Sequence, residues 1–243
     1  MTKIAPTQSA APTQGNDIVN AAKAAAAGTK TDFRSLLASS LSESRHNPLA
    51  KNPRSSAAGA FQFTERTWLD LVRRHGAALG HAGEAAKVTV SAKGAPTVAD
   101  PADRKAILAL RSDTRFAGAL AARYSDENRT TLTRSLGRKV SENEVRMAYL
   151  LGAGGAARVL KAAKDHPGVT VDKLIPSAVR SNPSLFVNPG GGVKTAKEAV
   201  AALERRFDAA SRHVARTKLS SAADPAPIGI PTDDDGAAAE SVA

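Results

Sequence analysis

The sequence predicts an all-α, mainly helical fold, and three observations carry that expectation. Hydrophobic residues make up 42% of the chain but aromatics only 4%. Burial must therefore come from Ala, Leu and Val, a set that favours close-packed helices over a sheet rich in aromatic and β-branched side chains. From Thr31 onward apolar residues recur at helical spacing between recognisable start and stop signals. No strand signal competes, because Val88 to Val90 and Val169 to Val171 are too short to decide anything. At 243 residues the chain suits one domain of ordinary size with tails, or at most two small ones.

The elements follow in order. Residues 1–30 read as a disordered leader whose first part is Pro, Thr, Gln and Ala, without the apolar run of a secretory signal. Asp17 to Gly28 is a short Ala-rich stretch, helical in context but marginal alone. Residues 31–217 form the domain. Thr31 or Asp32 N-caps a helix carrying Phe33, Leu36, Leu37 and Leu41, and Asn47-Pro48 ends it, since a residue before proline is pushed out of the α region. Thr64 to His75 is a second helix with Trp68, Leu71 and Val72 on one face and Gly76 at its C-terminus. Residues 77–99, rich in Gly and Ala without a clear period, read as a loop or lid.

Asp100-Pro101 combines an N-cap with proline at the first helical position and opens a third helix. Phe116, Leu120, Tyr124, Leu132 and Leu136 mark a fourth, ending at Gly137. Ser141 and Glu144 form a capping box for a fifth through Val145, Ala148 and Tyr149, and Ala156, Val159 and Leu160 mark a sixth. Between them the run Leu151 to Gly155 follows a helix rather than a strand, so it reads as a helix-to-helix turn and not a phosphate cradle. Thr195 and Glu198 form a second capping box, followed by Val200, Leu203, Phe207, Ala210 and Val214 on a long amphipathic closing helix. Residues 218–243 read as an acidic disordered tail.

Composition bounds function. With no cysteine the chain has no disulfide, zinc finger or thiol nucleophile, and with no long uninterrupted apolar run it has no transmembrane segment. The net charge is +11, unevenly spread. All 34 basic residues precede Ser220, against 18 of the 23 acids, which gives residues 1–219 a formal +16. So basic a body expects an anionic partner: nucleic acid, an acidic membrane surface or a polymer such as bacterial cell wall. Aromatics interleaved with basic residues are nearly absent, which argues against nucleic acid. The five histidines, His46, His75, His81, His166 and His213, show neither HExxH nor paired metal spacing, so neither a metal site nor another cofactor is expected.

The candidate for chemistry is Glu43 together with Ser55 to Thr67. Glu43 lies in the last turns of its helix, seven residues after Leu36 and hence near the apolar face. Nineteen positions later Gln62 is embedded in Gly59-Ala60-Phe61-Gln62-Phe63. An ordinary glycoside hydrolase pairs two carboxylates about 5 to 9.5 Å apart, and Glu65 and Asp70 are the nearest candidates for a second one. Glu65 also has a purely structural reason for its place, the first turn of a helix, where the macrodipole favours an acid. Trp68 and Phe116 read as core, and Phe63 as core or cleft wall.

The segment Glu43 to Trp68 resembles the motif pair of the lytic transglycosylases, in which Glu-Ser opens the first motif and Gly-Leu-Met-Gln the second. Here these are Glu43-Ser44 and Gly59-Ala60-Phe61-Gln62. The family's Ala-Tyr-Asn-Ala-Gly is matched in part by Ala148-Tyr149-Leu150-Leu151-Gly152, and the similarity extends through PSAVRSNPSLF and ERRF, roughly Thr31 to Arg216. Phe61 replaces a family Met, and Leu150 a family Asn.

The resemblance implies a lysozyme-like helical domain that cleaves the MurNAc-GlcNAc β-1,4 bond of peptidoglycan. Glu43 would be its single catalytic residue, and the product a 1,6-anhydro-MurNAc end. Ser55, Ser56, Gln62 and Phe63 would contact the sugar chain, and Tyr149 would lie close to Glu43; the bland reading of Tyr149 is a core aromatic. The other functions to weigh are a muramidase-type hydrolase with a second carboxylate and an inactive wall-binding or assembly module, the latter favoured by Phe61 and Leu150. The substrate class places the protein in the periplasm or cell wall. Because the leader is not a secretory signal, export by a non-classical route is expected, from the cytoplasm through a secretion or flagellar apparatus or with a phage-like assembly.

Overall fold

Helix starts in this chain are fixed by local chemistry. In the computed structural model, which describes residues 14–217, the helices are α1 (Gln14–Ala26), α2 (Phe33–Ser44), α3 (Glu65–His75), α4 (Ala82–Lys87), α5 (Pro101–Ala109), α6 (Thr114–Leu136), α7 (Glu142–Asp165), α8 (Val171–Leu174), α9 (Pro176–Ser181), α10 (Pro183–Phe186) and α11 (Ala196–Arg216). The fold is mainly helical. Asp32, Thr64 and Asp100 each accept a backbone N–H three residues on, at 3.1, 3.3 and 2.8 Å. Both capping boxes close: Ser141 and Glu144 exchange bonds at 3.2 and 2.8 Å, as do Thr195 and Glu198 at 3.3 and 2.8 Å. Together these bonds satisfy amides that a helix start would otherwise leave unpaired. No described helix is long and apolar enough to cross a membrane.

Several boundaries differ from the sequence expectation. The helix expected to run to Asn47-Pro48 stops at Ser44, because Arg45 (φ 55°) and His46 (φ 66°) both turn left-handed. Their amides return to the carbonyls of Leu41 at 3.0 Å and Ser40 at 3.3 Å. The expected loop 77–99 holds α4 and a two-residue antiparallel pair, β1 (Thr89–Val90) with β2 (Pro96–Thr97), in register Thr89↔Thr97. Two-residue strands have no period to read. The expected turn at Leu151 to Gly155 is a break at Gly152 (φ 71°, ψ 152°), where the two halves of α7 meet.

The expected leader needs a larger correction. Residues 1–13, like the tail 218–243, lie outside the described residues, but α1 is part of the packed body. Ile18, Ala21, Ala22 and Ala25 are buried, and α1 packs along α6 and against α2. Asp126 of α6 pins the α1–α2 connection by accepting from the Lys30 amide at 2.8 Å and the Thr31 hydroxyl at 2.8 Å. Alanine faces bury little area each, yet they let two helices approach closely enough for extensive van der Waals contact.

Two apolar clusters fill the interior. One gathers α1, α2, α3, α5 and the first half of α6 around Trp68, Phe61, Leu71 and Phe116. The other joins the end of α6 to α7, α8, α9, α10 and α11 around Met147, Phe186, Leu203 and Phe207. Trp68 and Phe116 are core residues, and the Trp68 indole N–H is satisfied by the Ile107 carbonyl at 2.7 Å. Helices α6, α7 and α11 contact both halves, and the surface junction between the halves forms the groove described next.

Candidate active site

The groove is built from residues of both halves. Glu43 stands one residue before the end of α2, where the left-handed pair Arg45 and His46 turns the chain sharply away. The following segment folds back on itself: Ala58 bridges to Lys51 on one side and to Phe63 on the other. This small loop is fixed to α2 by Ser44, whose hydroxyl donates to the Ala60 carbonyl at 2.8 Å.

Gly59 closes the turn with φ 83°, and a Cβ there would fall 2.1 Å from the Arg111 carbonyl oxygen, so only glycine fits. Gln62, itself left-handed at φ 49°, donates from Nε2 to the Gly59 carbonyl at 3.0 Å and more weakly to that of Ala50 at 3.3 Å. Left-handed non-glycine residues are costly, and Arg45, His46 and Gln62 all fall in the two segments that frame Glu43.

The resulting groove has a volume of about 700 Å³, and its lining includes Glu43, Ser55, Gln62, Phe63 and Tyr149. Of the residues singled out from sequence, Ser56 is the exception. It is exposed on the outer side of the loop, where its hydroxyl accepts from the Glu65 amide at 3.2 Å and its carbonyl from Arg111 Nη1 at 2.6 Å. It serves the start of α3, and a side chain committed there does not face the groove.

Phe63 is both core and cleft wall, being 2% exposed yet part of the lining. It packs against Trp68 on one side and against Tyr149 at 5.5 Å and Tyr124 at 6.2 Å between ring centroids. Tyr149 donates its hydroxyl to the Phe61 carbonyl at 3.1 Å. Burial, followed by the neighbouring Glu43 charge, pushes its phenol well above the ordinary value, so it stays neutral. Phe61 itself is buried in the core, while Leu150 lines the groove.

Glu43 is the only carboxylate in the lining. It makes no ion pair or side-chain hydrogen bond among the described residues, and burial pushes its carboxyl from 4.5 to about 7. The opposing influence is Arg206 of α11, whose positive charge draws the value back down. Arg206 donates to the Ser42 carbonyl, one residue before Glu43, and lines the same groove. The two candidate second carboxylates are elsewhere. Glu65 pairs with Arg104, and Asp70 with Arg73 at 2.9 Å and Arg74 at 3.0 Å.

Sequence reasoning missed the opposite wall. Ser177 and Ser181 of α9, Asn182 after it and Ser184 of α10 line the same groove as Glu43. These helices are six and four residues long, each opened by a proline at its first turn, and such short pieces leave no periodic signal. Arg206, within the ERRF run, was given no role, because an arginine on the polar face of a long amphipathic helix looks like any solvated charge.

A larger cavity of about 800 Å³ lies on the reverse side of the 50–63 loop, with neither a carboxylate nor a histidine in its lining. Of these two cavities, only the smaller groove presents a carboxyl. Among the described residues no three His, Asp or Glu side chains gather as a metal site would require. No protein-family model matches the chain.

Proposed function

We propose that the chain is a peptidoglycan lytic transglycosylase with a lysozyme-like domain, using Glu43 as its one proton-transfer group. The observation that carries this reading is a lone groove carboxyl with a pKa of about 7. A general acid works best when its pKa lies near the working pH, and burial is a recognised way to raise a glutamate that far.

In the proposed reaction Glu43 donates its proton to the glycosidic oxygen between MurNAc and GlcNAc as the C1–O bond breaks. Ionised, it then takes the proton of the muramyl 6-hydroxyl, whose oxygen closes on C1 of the same sugar. The products are a GlcNAc hydroxyl end and a 1,6-anhydro-MurNAc end. Glu43 finishes protonated, and no water is consumed. A hydrolase would need another carboxylate to activate water or hold the sugar covalently; the removal of Glu65 and Asp70 from the groove weighs against it. Gln62, Ser55 and the polar wall of α9 and α10 would grip the glycan, with Phe63 and Tyr149 as the apolar floor. The +16 body would be drawn to the carboxyl groups of the wall in a salt-sensitive way. The place of action would be the cell wall.

The test is mass analysis of purified sacculi digested with wild type and with Glu43→Gln. Anhydro-ended fragments from wild type alone are expected. Reducing ends would indicate a hydrolase, and retention on sacculi without fragments a wall-binding module; either result overturns the proposal.

A further inference from the structure

The cavity on the reverse side of the 50–63 loop has its own chemistry. Leu49, Leu108 and neighbouring alanines and prolines give it an apolar floor, and Lys51, Arg104, Lys105 and Arg111 give it four cations. Leu49, in its lining, is 71% exposed and so open to a partner. Only Arg104 is ion-paired, with Glu65; Lys51, Lys105 and Arg111 have no carboxylate partner among the described residues. Arg111 is held in place by its donations to the carbonyls of Ser56 at 2.6 Å, Leu108 at 3.0 Å and Phe63 at 3.2 Å, and burial depresses its pKa. A fixed, partly desolvated guanidinium without an ion pair of its own among the described residues favours an anion. Apolar floor and cationic rim together suit a peptide that is both apolar and acidic, and the lining has no aromatic ring on which a nucleic-acid base could stack.

We infer that this cavity is the docking site of the chain's own segment Ile228-Gly229-Ile230-Pro231-Thr232-Asp233-Asp234-Asp235. The match is in charge and in polarity. No lysine or arginine follows Leu219, and the three consecutive aspartates come directly after the isoleucine and proline cluster. The segment's two isoleucines match the apolar character of Leu49 and Leu108, and its aspartates the charge of Lys51, Lys105 and Arg111. Asp233 lies sixteen positions beyond Thr217; extended, that stretch reaches roughly 50 Å, about the diameter of a body of ~200 residues. The cavity wall is shared with the Glu43 groove, because the carbonyls of Ala50 and Gly59, residues that line the cavity, accept from Gln62 Nε2. A docked segment therefore braces the loop that carries Ser55 and Gln62.

A chain without cysteine allows a clean test. A nitroxide attached to Asp234→Cys in the full-length ¹⁵N-labelled protein reports amides near it by loss of signal. The expected loss is concentrated on residues 49–51 and 104–112, and it disappears in 0.5 M salt (about a 4 Å screening length) and in the exposed-site double variant Lys51→Glu, Lys105→Glu. Loss spread evenly, centred elsewhere or unchanged by the double variant overturns the inference. So does loss seen only when spin-labelled and ¹⁵N-labelled chains are mixed, which would assign the cavity to the tail of a second copy. None of these readouts depends on enzymatic activity.

Discussion

The hydroxyl of Ser44 donates to the carbonyl of Ala60 at 2.8 Å, and this bond ties the end of α2 to the turn that presents Gln62. Ala60 is fully buried, so its carbonyl finds no water if the hydroxyl is removed. Ser44→Ala is expected to cost about 1 to 2 kcal/mol of unfolding free energy, measured by urea titration. Ser44→Thr, which keeps the hydroxyl, recovers most of it. A neutral Ser44→Ala would show that the loop is held by its own bonds alone.

Glu43 makes stability depend on pH. Its pKa is about 7 in the folded protein against 4.5 when unperturbed, so between those values the folded state binds more protons than the unfolded one. The raised value adds stability that is fully present below pH 4.5 and lost as pH rises through 7. Glu43→Gln lacks this loss. Relative to wild type the variant should gain stability from pH 4.5 to 7, by at most roughly 3 kcal/mol, with no further gain above. Parallel stability curves for the two proteins would contradict the burial of the carboxyl.

Arg206 sets the same carboxyl from the other direction. Its charge lowers the Glu43 pKa, so Arg206→Gln should move the carboxyl titration to a midpoint above 7. Arg206→Lys, which keeps the charge, should move it less. The measurement is the ¹³C chemical shift of the Glu43 carboxyl across pH. It reads electrostatics without requiring turnover.

Gly152 divides α7 at φ 71°, ψ 152°, a conformation side chains rarely adopt. A Cβ there would meet open space, so the cost of Gly152→Ala is conformational, about 1 to 3 kcal/mol. Because Leu150, Leu151 and Gly152 line the groove, the same substitution should lower binding to sacculi. A thermal melt and a pelleting assay would separate the two effects.

Much of the fold was legible because its punctuation is chemical. Asp32, Asp100, Ser141 and Thr195 act as caps where the sequence placed them, and the glycine run after Tyr149 marked the break in α7. The candidate site was half legible. Glu43, Ser55, Gln62, Phe63 and Tyr149 converge on one groove, whereas Ser56 turns outward, since an exposed pair of serines gives no hint of which one faces inward. What stayed hidden depends on tertiary geometry. The place of Arg206 beside Ser42 and the polar wall of α9 and α10 exist only because α11 and the second apolar cluster bring them there. The double left-handed step at Arg45 and His46 was invisible for the opposite reason, as neither residue is one that advertises such a conformation.

Where α1 crosses α6, a Cβ on Gly118 would stand 3.6 Å from the Ala21 carbonyl oxygen. The seam there is made largely of methyl groups and bare backbone, with Ile18 and the Phe61 ring at its side. Such a joint has few large side chains to rearrange if its mate is taken away. A version of the protein trimmed to begin at Thr31, an obvious cut for anyone guided by composition, would strip the lid from that seam. It would leave a stripe of alanines in water and Asp126 without the Lys30 amide it now holds.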